Sequence, residues 1–310
     1  MKRPKVAVIG AGNVGATTAQ RLLEAEIADV VLVDIVEGLP QGKALDMAQA
    51  AALLGSDARI TGSNDYAAIA GSDLVVVTAG LPRKPGMSRD DLLQKNAQIV
   101  TSVLDQVIRH APQCILIVVS NPLDVMTFLA WRKTGFGRQR VLGMAGVLDA
   151  ARFQYFIAQA LGVSTKDVNA MVLGGHGDDM VPLPRFSTVN GVPITQLMPA
   201  ERIAGLLDRT RNGGAEIVAL LKQGSAWYAP SASVAAMTES ILRDQRRVLP
   251  VCALLEGEYG LRDCFVGVPA VLSSKGMERV VELELSQDEL DALHRSAEHV
   301  REGCKKLSLT

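Results

Sequence analysis

The chain of 310 residues lacks an excess of either charge: 32 Lys and Arg stand against 33 Asp and Glu, a net charge of −1 at pH 7. Without a basic surplus, nucleic acid and anionic membrane surfaces are disfavoured as partners. It also lacks any apolar run near the ~20 residues that cross a bilayer; strands such as Ile115–Val119 are far shorter. No signal peptide is expected, because the basic stretch Met1–Lys5 leads into a glycine-punctuated segment with no apolar core or cleavage site. Its four cysteines, Cys114, Cys252, Cys264 and Cys304, form no CxxC pair and no metal-ligand spacing. The expectation is a cytoplasmic protein with reduced thiols and no metal. Repeats, low-complexity tracts and Gly/Ser linkers are absent too. What is present is an ordinary globular composition, 48% hydrophobic and 21% charged, long enough for two domains or one large one.

The first half alternates short β-branched runs with helical patterns. Apolar runs at Lys5–Ile9, Val30–Val33, up to Val77 and at Ile115–Val119 are separated by helical spacing at Val14–Ala25, Gly42–Leu53 and Arg89–His110. Such alternation predicts βαβ units around a parallel sheet, covered on both faces. After about Leu142 the rhythm changes. Helices are predicted at Leu148–Leu161, Glu201–Lys222, Ala232–Leu242 and Gln287–Cys304, the last with Ser286 at its N-cap. Strand-like runs occur at Val168–Leu173, Val248–Leu254, Phe265–Leu272 and Arg279–Leu285. The reading is α/β: a Rossmann-type doubly wound sheet over 1–143, followed by a mixed α+β substrate domain over 144–310.

The first strand runs into Gly10-Ala11-Gly12-Asn13-Val14-Gly15 and then a helix. Gly10 allows the tight turn, Gly12 lets backbone approach a pyrophosphate, and Gly15 lets helix and strand pack closely. The helix N-terminus offers free N–H groups to the phosphates. Asp34 closes the second strand nineteen positions beyond Gly15, where an acid bonds the adenosine ribose and repels a 2′-phosphate. NAD is therefore expected over NADP. An ordinary glycine turn followed by a loop acid is the alternative.

His176 lies in Gly174-Gly175-His176-Gly177, uncrowded by neighbours, whereas His110, His294 and His299 fall on helices. It is either a turn histidine or the group of near-neutral pKa that a hydride-transfer enzyme needs for the alcohol proton. Asp149 and Arg152 share one helix face. They are a surface ion pair, or else Asp149 orients an imidazole while Arg152 grips a substrate carboxylate. The segment from Gly80 to Asp91 holds Arg83, Lys84 and Arg89 between prolines and glycines. It is a candidate lid or a solvated basic loop. Ser88 suits an N-cap there, and Arg89 opposes the helix dipole, a local rule broken.

GAGNVG, Asp34, the loop Pro82–Arg89, Asn121-Pro122, Asp149-Ala-Ala-Arg152 and GGHG occur in one order along nearly the whole chain. Together they resemble the lactate/malate dehydrogenase family, and most of all the lactate-dehydrogenase-like malate dehydrogenases of prokaryotes. The resemblance implies that His176 exchanges the proton with Asp149 as its partner. It makes Arg152 the site for the substrate's C1 carboxylate and brings Arg89 to the reacting carbonyl. Arg83 would meet the second carboxylate of malate or oxaloacetate, where lactate-specific relatives carry Gln. Asn121 would contact both cofactor and substrate, and Ser225 would line the substrate pocket. Asn13, Val14, Asn96 and Val119 would join Gly10, Gly12, Gly15 and Asp34 around NAD. It further implies a tricarboxylic acid cycle enzyme working as a homotetramer or homodimer, without the long N-terminal arm of some lactate enzymes. The rivals are a lactate or broad 2-hydroxy-acid dehydrogenase, an NAD-dependent glycoside hydrolase, and a non-catalytic NAD-binding module.

Overall fold

The computed structural model describes residues 3–81 and 88–309. The first half runs β1 (Lys5–Ile9), α1 (Asn13–Glu24), β2 (Asp29–Val33), α2 (Leu39–Leu54), β3 (Ile60–Ser63), β4 (Leu74–Val77), α3 (Arg89–His110), β5 (Ile115–Val118), α4 (Leu123–Thr134) and β6 (Val141–Gly143). Its strands pair in parallel in the order β3-β2-β1-β4-β5-β6. The order reverses between β1 and β4, and at that switch point the carboxyl ends of the strands open a crevice for a ligand.

Strand residues alternate between two cores. Val6, Val8, Leu32, Val76 and Ile117 pack with Ala19, Leu22 and Leu23 of α1. Ala7, Ile9, Val33, Val77 and Val118 pack with Leu93, Val100, Leu104 and Val107 of α3 and with Met126 of α4. Burial on both faces is why these strands read as unbroken apolar runs.

The second half continues with α5 (Gly146–Leu161), β7 (Val168–Asn169), β8 (Val172–Gly174), β9 (Met180–Pro182), β10 (Thr188–Val189), β11 (Val192–Pro193), α6 (Ile194–Leu197), α7 (Ala200–Leu221), α8 (Tyr228–Leu242), β12 (Arg247–Glu256), β13 (Arg262–Ser273), β14 (Gly276–Val280) and α9 (Gln287–Lys306). The two halves share one sheet, because β12 pairs antiparallel with β6 and leads through β13 to β8 and β9. A small second sheet joins β7, β10 and β11.

Two sequence expectations need correction. The run Val168–Leu173 is not one strand: its start pairs with β10 and its end with β9 and β13, so it breaks where it changes sheets. The run Arg279–Leu285 is strand only to Val280. Val281 N–H still donates to Pro269 O, but Pro269 has no N–H to return, and the Tyr259 hydroxyl takes over by bonding Val281 O and Leu283 N.

Candidate active site

The glycine loop closes tightly at two points and is open at a third. Gly10 has φ +108°, and a Cβ on Gly15 would lie 1.8 Å from Gly10 O, so neither position accepts a larger residue. Gly12, the N-cap of α1, has nothing within 4 Å of where its Cβ would be. α1 has no side-chain cap bond and no acid in its first turn. Its N–H groups, those of Asn13, Val14 and Gly15 included, are the donors an anion would find. Asp34 takes Ala11 N–H on Oδ2 at 2.6 Å and Val36 N–H on Oδ1 at 2.9 Å, tying the loop to the end of β2. Lys43 of α2 donates to Ala11 O at 2.7 Å. Nothing in the sequence singled it out, since its partner is a backbone oxygen 32 positions away.

Asn96 of α3 is buried, and its amide is committed to backbone. It accepts from Leu81 N–H at 2.8 Å and donates to Leu81 O at 3.2 Å and Asn121 O at 2.7 Å. It thus fastens the segment after β4 to the segment after β5, the two that border the crevice. Val119 extends the β5 ladder to Val77 O, and the Asn121–Pro122 peptide bond is cis.

The structure brings together three residues that the sequence holds apart. α5 starts at the end of β6 and carries Asp149 in its first turn, 2% exposed, with Arg152 one turn on. His176 stands in the loop between β8 and β9. Its Nδ1 lies 2.9 Å from Asp149 Oδ2, while Arg152 Nη1 lies 3.2 Å from Asp149 Oδ1. Of the two alternatives read from the sequence, a surface ion pair does not describe Asp149 and Arg152: the carboxylate is buried and shared by an imidazole and a guanidinium. Arg152 Nε is buried with no hydrogen-bond partner among the described residues, a donor suited to an incoming carboxylate.

Burial works hardest against a charged His176. The charge and hydrogen bond of Asp149, with the charge of Asp124 behind them, outweigh it against opposition from Arg152, and the His176 pKa is raised above the ordinary histidine value.

The loop around His176 is held from outside by residues that sequence reasoning passed over. Asp124, in the first turn of α4, accepts His176 N–H at 2.8 Å. Ser296 of α9 accepts Gly175 N–H at 2.7 Å and donates to Asp179 O at 2.8 Å, and His299 meets Asp179 Oδ1 at 2.7 Å. Their partners are more than 50 residues distant, so no local signal marked them. Arg89 begins α3 behind a Ser88–Asp91 capping box, and its guanidinium rests 3.4 Å from Asp178 Oδ2, both side chains exposed. Ser225 is exposed between α7 and α8 and makes no hydrogen bond to the His176 cluster among the described residues. Arg83 and the rest of 82–87 lie outside the described residues.

A dinucleotide-binding crevice beside a buried histidine–aspartate–arginine cluster defines an NAD-dependent oxidoreductase. Residues 4–143 match the lactate/malate dehydrogenase NAD binding domain, and 146–308 match the lactate/malate dehydrogenase alpha/beta C-terminal domain. The chain belongs to the lactate/malate dehydrogenase family. A malate dehydrogenase of Synechocystis sp. is 59% identical over 297 residues, covering 96% of this chain and 92% of that relative. The structure of malate dehydrogenase from Salinibacter ruber superposes with a TM-score of 0.94 at 51% identity, covering 98% of this chain and 97% of that one. Lactate dehydrogenase from Cryptosporidium parvum, solved with lactic acid and nicotinamide adenine dinucleotide, gives a TM-score of 0.96 at 40% identity over 99% of both chains.

Proposed function

We infer that the chain is an NAD-dependent malate dehydrogenase, interconverting (S)-malate and oxaloacetate. The observation that carries the chemistry is the Asp149 carboxylate shared between His176 and Arg152. The relatives named malate dehydrogenase support the substrate, as does an arginine at position 83. In this reading 1–143 hold the dinucleotide and 144–310 most of the substrate.

NAD, when bound, supplies a hydride acceptor at its nicotinamide ring. Gly12 and the N–H groups of Asn13, Val14 and Gly15 would hold the pyrophosphate. Asp34 keeps lone pairs free for the ribose hydroxyls, and Ile35, 83% exposed, gives the adenine an apolar face. Val119, Asn121 and the backbone held by Asn96 would flank the nicotinamide end.

Arg152 takes the C1 carboxylate and Arg83 the second one, with Ser225 at the pocket wall. Asp149 engages Nδ1, so Nε2 of His176 is the nitrogen that receives the C2 hydroxyl proton as hydride leaves C2. Asp149 then stabilises the imidazolium. In reverse, Arg89 exchanges Asp178 for the substrate's oxo group, and protonated His176 donates as hydride arrives. Reduction of oxaloacetate by NADH, followed at the nicotinamide absorbance, tests the assignment.

The rival within the family is a lactate enzyme, since a lactate dehydrogenase shares this fold over the whole chain. Arg83 argues against it. α2 exposes Leu45, Leu53 and Leu54, and α7 exposes Val218, Leu220 and Leu221. These apolar faces fit a homodimer or homotetramer. Four buried free cysteines suit a reducing, cytoplasmic setting, and the reaction is one of the tricarboxylic acid cycle. No helix among the described residues is long and apolar enough to cross a membrane.

Two results are expected of this reading. Asp34→Ser removes a ribose acceptor and a charge that repels a 2′-phosphate, so the ratio of kcat/KM for NADH over NADPH drops. Equal kcat/KM for the two in the unmodified enzyme contradicts the role. Because the His176 pKa is raised, oxaloacetate reduction, which needs the imidazolium, persists above the ordinary histidine value of about 6.5. Malate oxidation, which needs neutral imidazole, correspondingly reaches its plateau only above that ordinary value. A pH–rate profile for reduction already collapsing on the acid side of the ordinary value contradicts the electrostatics.

A further inference from the structure

We propose that Asp124 is a positioning residue for the acid–base step, its buried carboxylate fixing the backbone of His176 and setting a second negative charge behind the imidazole. The proposal rests on the reading of His176 as the proton-exchanging group.

The first observation is the cost of the carboxylate. Asp124 is 5% exposed, and its Oδ1 is buried with no hydrogen-bond partner among the described residues. Burial raises its carboxyl pKa above the ordinary value, and the bonds from His176 N–H and the Cys252 thiol, with the charge of His176, pull it only part of the way back. A buried acid left half-satisfied is destabilising, so its presence calls for a return elsewhere.

The second observation is what the carboxylate faces. Around it stand His176, the Cys252 thiol of β12 and the Cys304 thiol of α9. Both thiols are pushed up by burial, Cys304 to about 12, so neither carries charge near neutral pH. No Lys or Arg is paired with Asp124 among the described residues; the cation that acts on it is protonated His176. On its other side His176 faces Asp149 and Arg152 of α5. Asp149 is divided between the imidazole and Arg152, whereas the charge of Asp124 is directed to the imidazolium alone.

The third observation is mechanical. Asp124 Oδ2 holds His176 N–H at 2.8 Å, and a Cβ on Gly175 would lie only 3.3 Å from that oxygen. The chain ahead of the catalytic imidazole is thus pressed against the carboxylate. Ser296 anchors the neighbouring Gly175 N–H from α9. Asp124 lies in the first turn of α4, two residues beyond its N-cap Pro122, so the start of that helix also sets the histidine.

Asp124→Asn separates the charge from the shape: an amide oxygen still accepts His176 N–H, but the negative charge is gone. In kcat/KM for oxaloacetate against pH, the alkaline limb moves to lower pH, and activity beyond it falls roughly tenfold for each ~1.4 kcal/mol of lost imidazolium stabilisation. The acid limb of malate oxidation moves in the same direction. NADH affinity stays within about twofold, because the change touches no cofactor-binding group. Asp124→Ser, which removes the acceptor as well, shifts both limbs and also lowers the pH-independent kcat; it serves if the Asn variant does not fold. Profiles that superimpose on wild type, or a rise in KM with the limbs unmoved, overturn the proposal. If wild type itself fails to reduce oxaloacetate, the functional reading falls instead, so the two failures are distinct.

Discussion

His176→Asn is expected to lower kcat for oxaloacetate reduction by roughly 10²–10⁴-fold, the usual contribution of a positioned general acid, while NADH binds nearly as in wild type. Asparagine fits the space and can still meet Asp149, but it cannot carry the proton. Asp149→Asn is expected to be almost as damaging for a different reason. Its carboxylate is 2% exposed and engages both His176 and Arg152. An amide favours the wrong imidazole tautomer, removes the counter-charge, and leaves Arg152 without its ion-pair partner. Steady-state kinetics with an independent NADH titration check both variants. Wild-type turnover in either one returns the cluster to a structural ion pair.

Arg83→Gln is expected to reverse substrate preference, losing oxaloacetate activity and gaining pyruvate activity with Arg152 and Arg89 unaltered. Oxaloacetate brings a second carboxylate into a site that already commits Arg152 to the first. A guanidinium meets it with a charge-assisted bond that Gln cannot make. Pyruvate offers only a methyl, so a guanidinium brought to that end of the substrate would be desolvated without a partner. Sites that expect a polar partner discriminate by ~10⁴ or more; an arginine able to turn back to water softens this, so strong rather than absolute discrimination is expected. The measurement is kcat/KM for both oxo acids in both proteins, and an unchanged ratio removes the main support for the substrate.

The parallel half was legible because its signals are local. β1 and α3 end where the apolar runs and the Ser88 cap place them, and the glycine loop is a contiguous string. α4 was missed for a physical reason: every residue from Leu123 to Ala130 is buried, so it shows no polar face and no helical period. The same burial hid Asp124, which reads as an ordinary first-turn acid until the fold brings His176 N–H to it across 52 positions. β6 has only three residues, and β3, Ile-Thr-Gly-Ser, has one buried apolar residue and no apolar run, so neither announces itself; β6 matters because it carries the sheet into the second half. At the site, His176 and Asp149 were found as residue types, but their 2.9 Å contact depends on α5 and the β8–β9 loop meeting beside β12. Sequence shows which groups could do the chemistry, and long-range packing decides which of them share a proton.

The central claim is that a buried histidine–aspartate–arginine cluster, joined by Arg83, handles a four-carbon dicarboxylate. Its most direct test is kcat/KM of the unmodified enzyme for oxaloacetate and for pyruvate, with saturating NADH, in one buffer. The account predicts efficient reduction of oxaloacetate and a strong preference for it over pyruvate. Equal or greater efficiency with pyruvate would contradict it.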